Sequence, residues 1–484
     1  MSDLEYTVAP SAARFASPAG MARRLVASDW RALPVLMAGT FVIVLDFFIV
    51  NVTVPSMQAS LHASTSAIEW VVAGYGLTFA VFLIGAGRLG DQFGRRRMFS
   101  LGLALFTLAS VACAAAPSAG LLVAARLLQG FAAGLLSPSV LSIIGVVYSG
   151  ERRVRAISVY GMVMGLAAVG GQLIGGLLVQ ANVAGLGWRS VFAINVPVGV
   201  AALALAPYWV PESRGQRTSR LDLAGTGLVT LALVAIVLPL IEGRRAGWPA
   251  WTWASLAASP VLLGLFAAHQ RRLSGRGGSP LVDLELFRSR SFSAGLVTQL
   301  ALWAGQASFF LVLALYLQEG RGLSPLQAGA VFTILASAYL ATSLPAPALT
   351  LRFGRRLIAG GALTLAAGHG SLLAAVAGTG RSATVAVLVP GLLLVGAGMG
   401  LCITPLTTTV LASVDRDQAG TVSGVLSTMQ QVGNALGVAA TGVIFFGALP
   451  HGAGYAFELS VGQLAVLLVA VALLTGLLPG NDRG

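Results

Sequence analysis

The chain reads as a succession of long apolar stretches, each about 20 residues or more, parted by short polar breaks. Within the stretches apolar residues run continuously instead of alternating with polar ones, which favours helices over the strands of a barrel. Fourteen helical spans are predicted on this pattern, at 32–55, 68–89, 98–116, 119–147, 154–180, 189–210, 222–242, 252–270, 291–318, 325–349, 356–378, 382–410, 419–447 and 459–479. The tail 1–31 is polar, carries both signs of charge and does not resemble a cleavable signal peptide.

Composition identifies the solvent. Of 484 residues, 56% are apolar and only 10% charged, against about 25% charged in a soluble domain; mean hydropathy is +0.84. Such a surface suits lipid, where every backbone polar group has to be satisfied internally. The predicted class is an all-α polytopic membrane protein. The net charge of +13 comes from thirty arginines with no lysine. A basic balance can signal nucleic acid, but the arginines here follow the topology. An even span count puts both termini on one side; that side's loops and tails hold 24 arginines, and the opposite side five: Arg189, Arg244, Arg245, Arg321 and Arg381. The positive-inside rule then makes both termini cytoplasmic, in a bacterial inner membrane. Trp248, Trp251 and Trp253 fit an aromatic belt on the far side. Cys113 and Cys402 lie in apolar spans without disulfide or metal spacing.

An internal repeat runs at an offset of about 260–266 residues. Phe93-Gly94-Arg95-Arg96 recurs as Phe353-Gly354-Arg355-Arg356, Gly130 and Gly134-Leu135 as Gly396 and Gly400-Leu401, and Ala156, Val159 and Gly161 as Ala419, Val422 and Gly424. The matches fall in order, at corresponding points of spans 2–5 and 10–13. They divide the chain into a cytoplasmic tail (1–31), a six-helix half (32–210), two inserted spans with flanking loops (211–290) and a second six-helix half with a short tail (291–484). Repeated halves around a central site are a common basis of alternating access.

Two charges lie well inside predicted spans: Asp46 in the first and Arg126 in the fourth. Each costs roughly 2.5–3.5 kcal/mol to insert, so each calls for a partner or a function. At about 1.5 Å per residue both sit roughly 10 Å from the same membrane face, so they can pair or compete for one proton. Burial favours an uncharged Asp and a nearby Arg favours a charged one, so moving the Arg would switch proton occupancy. The other reading is a static ion pair tying spans one and four together. Gly39 and Thr53 share a predicted face with Asp46, while Gln129, Gly130, Ala133 and Ser137 follow Arg126. Glu69, Asp222, Glu242 and Glu319 lie near span ends and are expected to be interfacial. His369 is mid-span, expected to bond backbone rather than carry protons. Asn51, Thr53, Gln129, Gln299, Gln306, Gln430 and Asn434 are candidate cavity residues, along with Gln431; helix–helix hydrogen bonding is their alternative use.

The residues 45–55, Leu-Asp-Phe-Phe-Ile-Val-Asn-Val-Thr-Val-Pro, resemble the first-span signature of the fourteen-span drug:proton antiporter branch of the major facilitator superfamily. Gly87-Arg88-Leu89-Gly90-Asp91-Gln92-Phe93-Gly94-Arg95-Arg96-Arg97 resembles that superfamily's loop between spans two and three. There Gly90 and Gly94 permit a tight turn and close helix approach, and Asp91 can pair with arginines or a helix N-terminus and so latch one conformation; the latch residues are Gly87, Gly90, Asp91, Gly94, Arg95 and Arg96. The repeat copy has Leu351 at the Asp91 position, so the latch is asymmetric. Arg126, Gln129 and Gly130 resemble a fourth-span proton-transfer motif. Gly161, Gly165, Gly170, Gly171, Gly175 and Gly176 resemble the fifth-span antiporter motif, except that Gln172 stands where the family has proline; a smaller helix bend is expected. Trp188-Arg189 with Phe192, Asn195 and Pro197, Pro280 to Leu284 with Phe287, and Leu317-Gln318 with Ser324-Pro325-Leu326 resemble further features of the branch and support fourteen spans over twelve.

The resemblance implies a major facilitator fold of two six-helix halves plus two inserted helices, and a proton-coupled antiporter exporting small amphipathic drugs or antibiotics. Its partners would be small-molecule substrate, protons and the lipid bilayer, with no nucleic acid, cofactor or metal, and the protein a monomer. The tenth span holds no acid, which disfavours divalent cations as substrates. An exporter of a lipid, siderophore or endogenous metabolite on the same fold stays open. A proton symporter would have no reason for the glycine-rich fifth span. No Walker-type loop or catalytic triad suggests a pump driven by ATP, or an enzyme.

Overall fold

The computed structural model describes residues 30–214, 222–278, 280–282, 284–379, 384–412 and 419–478. Most of the N-terminal tail, and Arg217, Arg220, Asp283, Arg381, Arg416 and Arg483, lie outside the described residues. Every regular element described is helical.

The spans run in chain order as α1 (Ala32–Leu61), α2 (Thr65–Phe93), α3 (Arg95–Ala115), α4 (Ala119–Val147), α5 (Gly150–Ala181), α6 (Gly187–Trp209) and α7 (Leu223–Glu242), then α8 (Ala250–Gly275), α9 (Arg290–Gly320), α10 (Pro325–Ser343), α11 (Arg355–Thr379), α12 (Val389–Ala412), α13 (Ala419–Ala448) and α14 (Ala453–Leu474). Thirteen described helices are long and apolar enough to cross a membrane, and α5, bent by 42° between Gly150–Ala168 and Gly170–Ala181, makes fourteen when taken as one crossing. Helix α5 is thus bent although Gln172 stands where the resembling family has proline, and the bend falls between Ala168 and Gly170. Helix α10 ends at Ser343, short of the predicted 349, because Pro345 interrupts the ladder, and the chain continues as the short helix Ala346–Phe353.

Within each half the helices pack in a bundle: α2 and α3 against α4, α1 against α5 and α6, and correspondingly α9 against α13, α10 and α11 against α12, α11 against α14. Two seams join the halves, α2 with α13 and α5 with α10. The inserted α7 and α8 form a hairpin; α7 lies on the α2–α13 seam, while α8 packs chiefly on α7 and leaves most of its surface to lipid. Trp251 and Trp253 are exposed beside the α7–α8 turn, as expected of an interfacial belt.

The repeated arginine corners do matching jobs. Arg96 donates to the carbonyls of Pro207 and Val210 at the end of α6, and Arg355 donates to those of Gly476 and Leu478 after α14. Each half thus caps its last helix with an arginine from its third, satisfying carbonyls that a helix end leaves free.

Candidate functional site

Asp46 and Arg126 meet. Asp46 is 0% exposed and Arg126 1%, and Arg126 Nη1 donates to Asp46 Oδ2. The guanidinium makes further contacts: Nε donates to the Val71 carbonyl at 2.9 Å, Nη1 also to Gln129 Oε1 at 2.7 Å, and Cζ lies 4.3 Å from the Tyr75 ring centre. Asp46 Oδ1 accepts from Gln129 Nε2 and Asn195 Nδ2, both at 2.8 Å. Ser110 Oγ accepts from the same Gln129 and Asn195 amides, at 2.9 and 3.3 Å. Five helices, α1, α2, α3, α4 and α6, thus contribute to one buried polar knot inside the N-terminal half. Burial disfavours charge on Asp46, while Arg126 and two amide donors favour it, so its protonation answers to which neighbours stay in place.

Sequence reasoning found Asp46, Arg126 and Gln129. It noted Asn195 only as part of a motif at the entry to span six, and it missed Ser110. Both Asn195 and Ser110 come from helices whose approach to α1 is a tertiary matter.

The α5 glycine face bears directly on this knot. A side chain at Gly171 would stand 3.2 Å from Phe48 Cβ, one at Gly175 2.7 Å from Val52, and one at Gly176 2.4 Å from the Pro325 carbonyl of α10. Gln172 is buried and donates to the Phe48 carbonyl at 2.9 Å. Helix α5 therefore touches both the Asp46-bearing α1 and the partner half. Gly165 has no close neighbour, with Tyr339 at 3.9 Å from where its side chain would begin.

In the α2–α3 corner, Asp91 pairs with Arg95 at 2.9 Å, four residues on. Of the two kinds of partner expected for Asp91 it takes an arginine; the α3 N-terminus is held by Glu212, whose Oε1 accepts from the backbone N–H of Arg96 at 3.0 Å and whose carboxylate lies 3.8 and 3.9 Å from Arg96 and Arg97 Nε. Gly94, at φ +108°, makes this possible, since a side chain there would strike the Glu212 carboxylate at 2.8 Å. Gly87 and Gly90 face Pro138 and Ser139 of α4 at ordinary contact distance.

The candidate cavity residues divide. Thr53 is buried with its hydroxyl donated to the Val50 carbonyl at 2.7 Å, within the 3₁₀ turn Asn51–Thr53 that Pro55 imposes on α1. Asn51 Oδ1, Gln299 Oε1, Gln306 Nε2 and Asn434 Oδ1 are buried polar atoms without a hydrogen bond to the described protein, as is Trp303 Nε1. Gln299, Trp303 and Gln306 fall on one face of α9. Gln430 is half-buried on α13, where Gln431 accepts from Asn434 at 3.1 Å. His369 Nδ1 bonds the Leu365 carbonyl at 2.8 Å, the backbone use expected of it. The interfacial expectation holds for the exposed Glu319 and the part-exposed Glu242. It is corrected for Glu69 and Asp222, which tertiary packing buries at 1% and 8% exposure. Among the described residues no group of three or more His, Cys, Asp or Glu could hold a metal.

The halves touch toward the face opposite the termini. The Phe48 and Phe310 rings pack with centres 5.2 Å apart and planes tilted by 60°, Gln318 Nε2 donates to the Val52 carbonyl at 2.8 Å, and Gly176 abuts Pro325. Two six-helix bundles around such seams define a membrane transporter. The chain belongs to the Major Facilitator Superfamily, whose sequence profile matches residues 36–438. It is 40% identical over 436 residues to a probable actinorhodin transporter of Streptomyces coelicolor, covering 90% of this chain and 74% of that protein. It is 35% identical over 457 residues to a puromycin resistance protein of Streptomyces alboniger, covering 93% and 89%. The crystal structure of a D-xylose-proton symporter shares the fold, with a TM-score of 0.67 at 17% identity over 94% of this chain and 98% of that one. The protein is a multi-pass membrane transporter and not an enzyme.

Proposed function

We propose that the protein is a proton-coupled antiporter that exports small amphipathic, antibiotic-like compounds by alternating access. The observation that carries this is the buried Asp46–Arg126 pair with its two amide donors. A buried ion pair is a poor way to add stability, and an ionisable pair inside a span is a functional site by default. When Arg126 is drawn away, Asp46 loses its cation and takes a proton; when the pair closes again, the proton leaves. The α5 glycines, packed on α1 on one side and on α10 on the other, connect that exchange to the movement of the halves. Relatives named for actinorhodin transport and puromycin resistance support export as the direction and antibiotics as the cargo.

On this reading the halves span 32–210 and 291–484 around the inserted 211–290, the protein acts as a monomer, and both termini are cytoplasmic, as the arginine bias requires. Asn51, Gln299, Gln306 and Asn434 offer amide groups to a neutral or singly charged substrate. The test uses inverted vesicles holding a proton gradient. Added substrate collapses the gradient with the native protein and leaves it standing with Asp46→Asn; equal responses from the two would refute the mechanism.

A further inference from the structure

The knot around Asp46 leaves one buried acid unexplained. Glu69, near the start of α2, is 1% exposed, and both its carboxyl oxygens are buried without a hydrogen-bond donor. It faces α13 across the seam between the halves: a side chain at Gly442 would stand 3.1 Å from the Glu69 carboxyl carbon. Above it reaches Arg244, from the turn of the inserted hairpin. Arg244 Nη2 donates to Thr65 on α2 at 2.6 Å, Nη1 lies 3.5 Å from the Phe446 carbonyl on α13, and the Glu69 Oε1 contact is a longer 3.8 Å, a charge contact rather than a hydrogen bond. Trp70 donates to Glu242 at 3.0 Å, and Arg245 lies 3.9 Å from the same carboxylate. No ionisable residue occurs in the α13 sequence. The groups that govern charge at Glu69 are therefore Arg244, then Glu242 with Arg245.

We propose that Glu69 is a second proton-binding site of the transporter, set in the seam at the face opposite the termini, and that Arg244 of the inserted hairpin sets the pH at which it releases its proton. This rests on the reading that protons drive transport and that this face is external. The contrast with Asp46 carries the assignment. Asp46 has three side-chain donors; Glu69 has none. A charged carboxylate without donors is costly in a dry seam, whereas an uncharged acid costs far less. Opening the seam wets the group and suits the carboxylate. Protons taken up from outside then neutralise Glu69 and let the seam close behind a departed substrate, the order an exporter needs. The inserted α7–α8 pair gains a role as well, because its turn supplies the one arginine that touches α2 and α13 together among the described contacts.

The experiment uses the full-length protein in nanodiscs with nitroxide labels at Ser60→Cys and His451→Cys, both exposed at that face; Cys113 and Cys402 are buried. Electron–electron distances are measured from pH 5.5 to 8.5. Acid should enrich the short distance in the native background. Glu69→Gln should hold the short distance at every pH, Glu69→Asp should keep a response, and Arg244→Ala should move the midpoint to higher pH by removing the cation that favours the carboxylate. A Glu69→Gln protein that titrates like the native one, or an unmoved midpoint in Arg244→Ala, overturns the proposal. The Asp46→Asn background separates the two readings. There the seam should still answer to pH, so loss of coupling in that variant with no Glu69 effect retains the first reading and rejects this one.

Discussion

Arg126 uses its side chain as a fork, with Nε on the Val71 carbonyl and Nη1 shared between Asp46 and Gln129. Lysine is a single point of charge and cannot occupy those places together. Arg126→Lys is therefore expected to abolish substrate-driven proton movement in inverted vesicles. It should also lower the unfolding temperature in detergent, since the single ammonium leaves the buried Val71 carbonyl or the Gln129 side chain without its donor, at about 1–3 kcal/mol. Asn195→Ala removes one of the two amide donors to Asp46 and should cost about 1–3 kcal/mol; the pH profile of transport should shift while substrate binding persists. Asp46 and Arg126 were legible in sequence because a charge in an apolar run stands out. Ser110 and Asn195 were not, because small polar residues occur throughout such spans and only packing says which of them face the acid.

At the scale of elements, α5 bends without the proline of the resembling family. Gln172 stands in its place, the helix bends by 42° between Gly150–Ala168 and Gly170–Ala181, and the Gln172 amide donates to the Phe48 carbonyl of α1. Gly176→Leu would drive a side chain into the Pro325 backbone, 2.4 Å from where it would begin. The expected result is a protein that inserts in the membrane at normal levels but no longer transports, checked by membrane yield alongside vesicle assays. In the α2–α3 corner, Gly94→Ala combines a backbone conformation costing about 1–3 kcal/mol for other residues with a collision against Glu212, and a lower unfolding temperature should report it. The hairpin has its own anchor on the terminal face, where Asp222 caps α7 through the Gly225 N–H at 2.8 Å and pairs with His269 at 2.8 Å and Gln270 at 2.6 Å. Burial works against the Asp222 charge, but these bonds outweigh it and hold the carboxyl below its usual range. Its contribution is thus present above the ordinary carboxylate pKa, about 4, and is lost only as pH falls through the lowered value.

The whole molecule joins two bundles along α2–α13 and α5–α10, with the inserted pair on the first seam. The amide groups on α9 and α13 carry no charge and α10 holds no acid, so a transport panel should rank neutral or singly charged amphipathic compounds above dications; dications at the top would refute this. The apolar runs by themselves determined the number and order of helices, since lipid demands internally satisfied backbone and continuous runs of about 20 residues suit helices and not barrel strands, and the mid-span charges marked one site. The tertiary structure alone decided that Glu69, near a helix end where water was expected, lies buried in a seam, and that Glu212 rather than Asp91 caps α3. Hydropathy records what a residue costs in lipid; it says nothing of which neighbour, distant in the chain, will cover it.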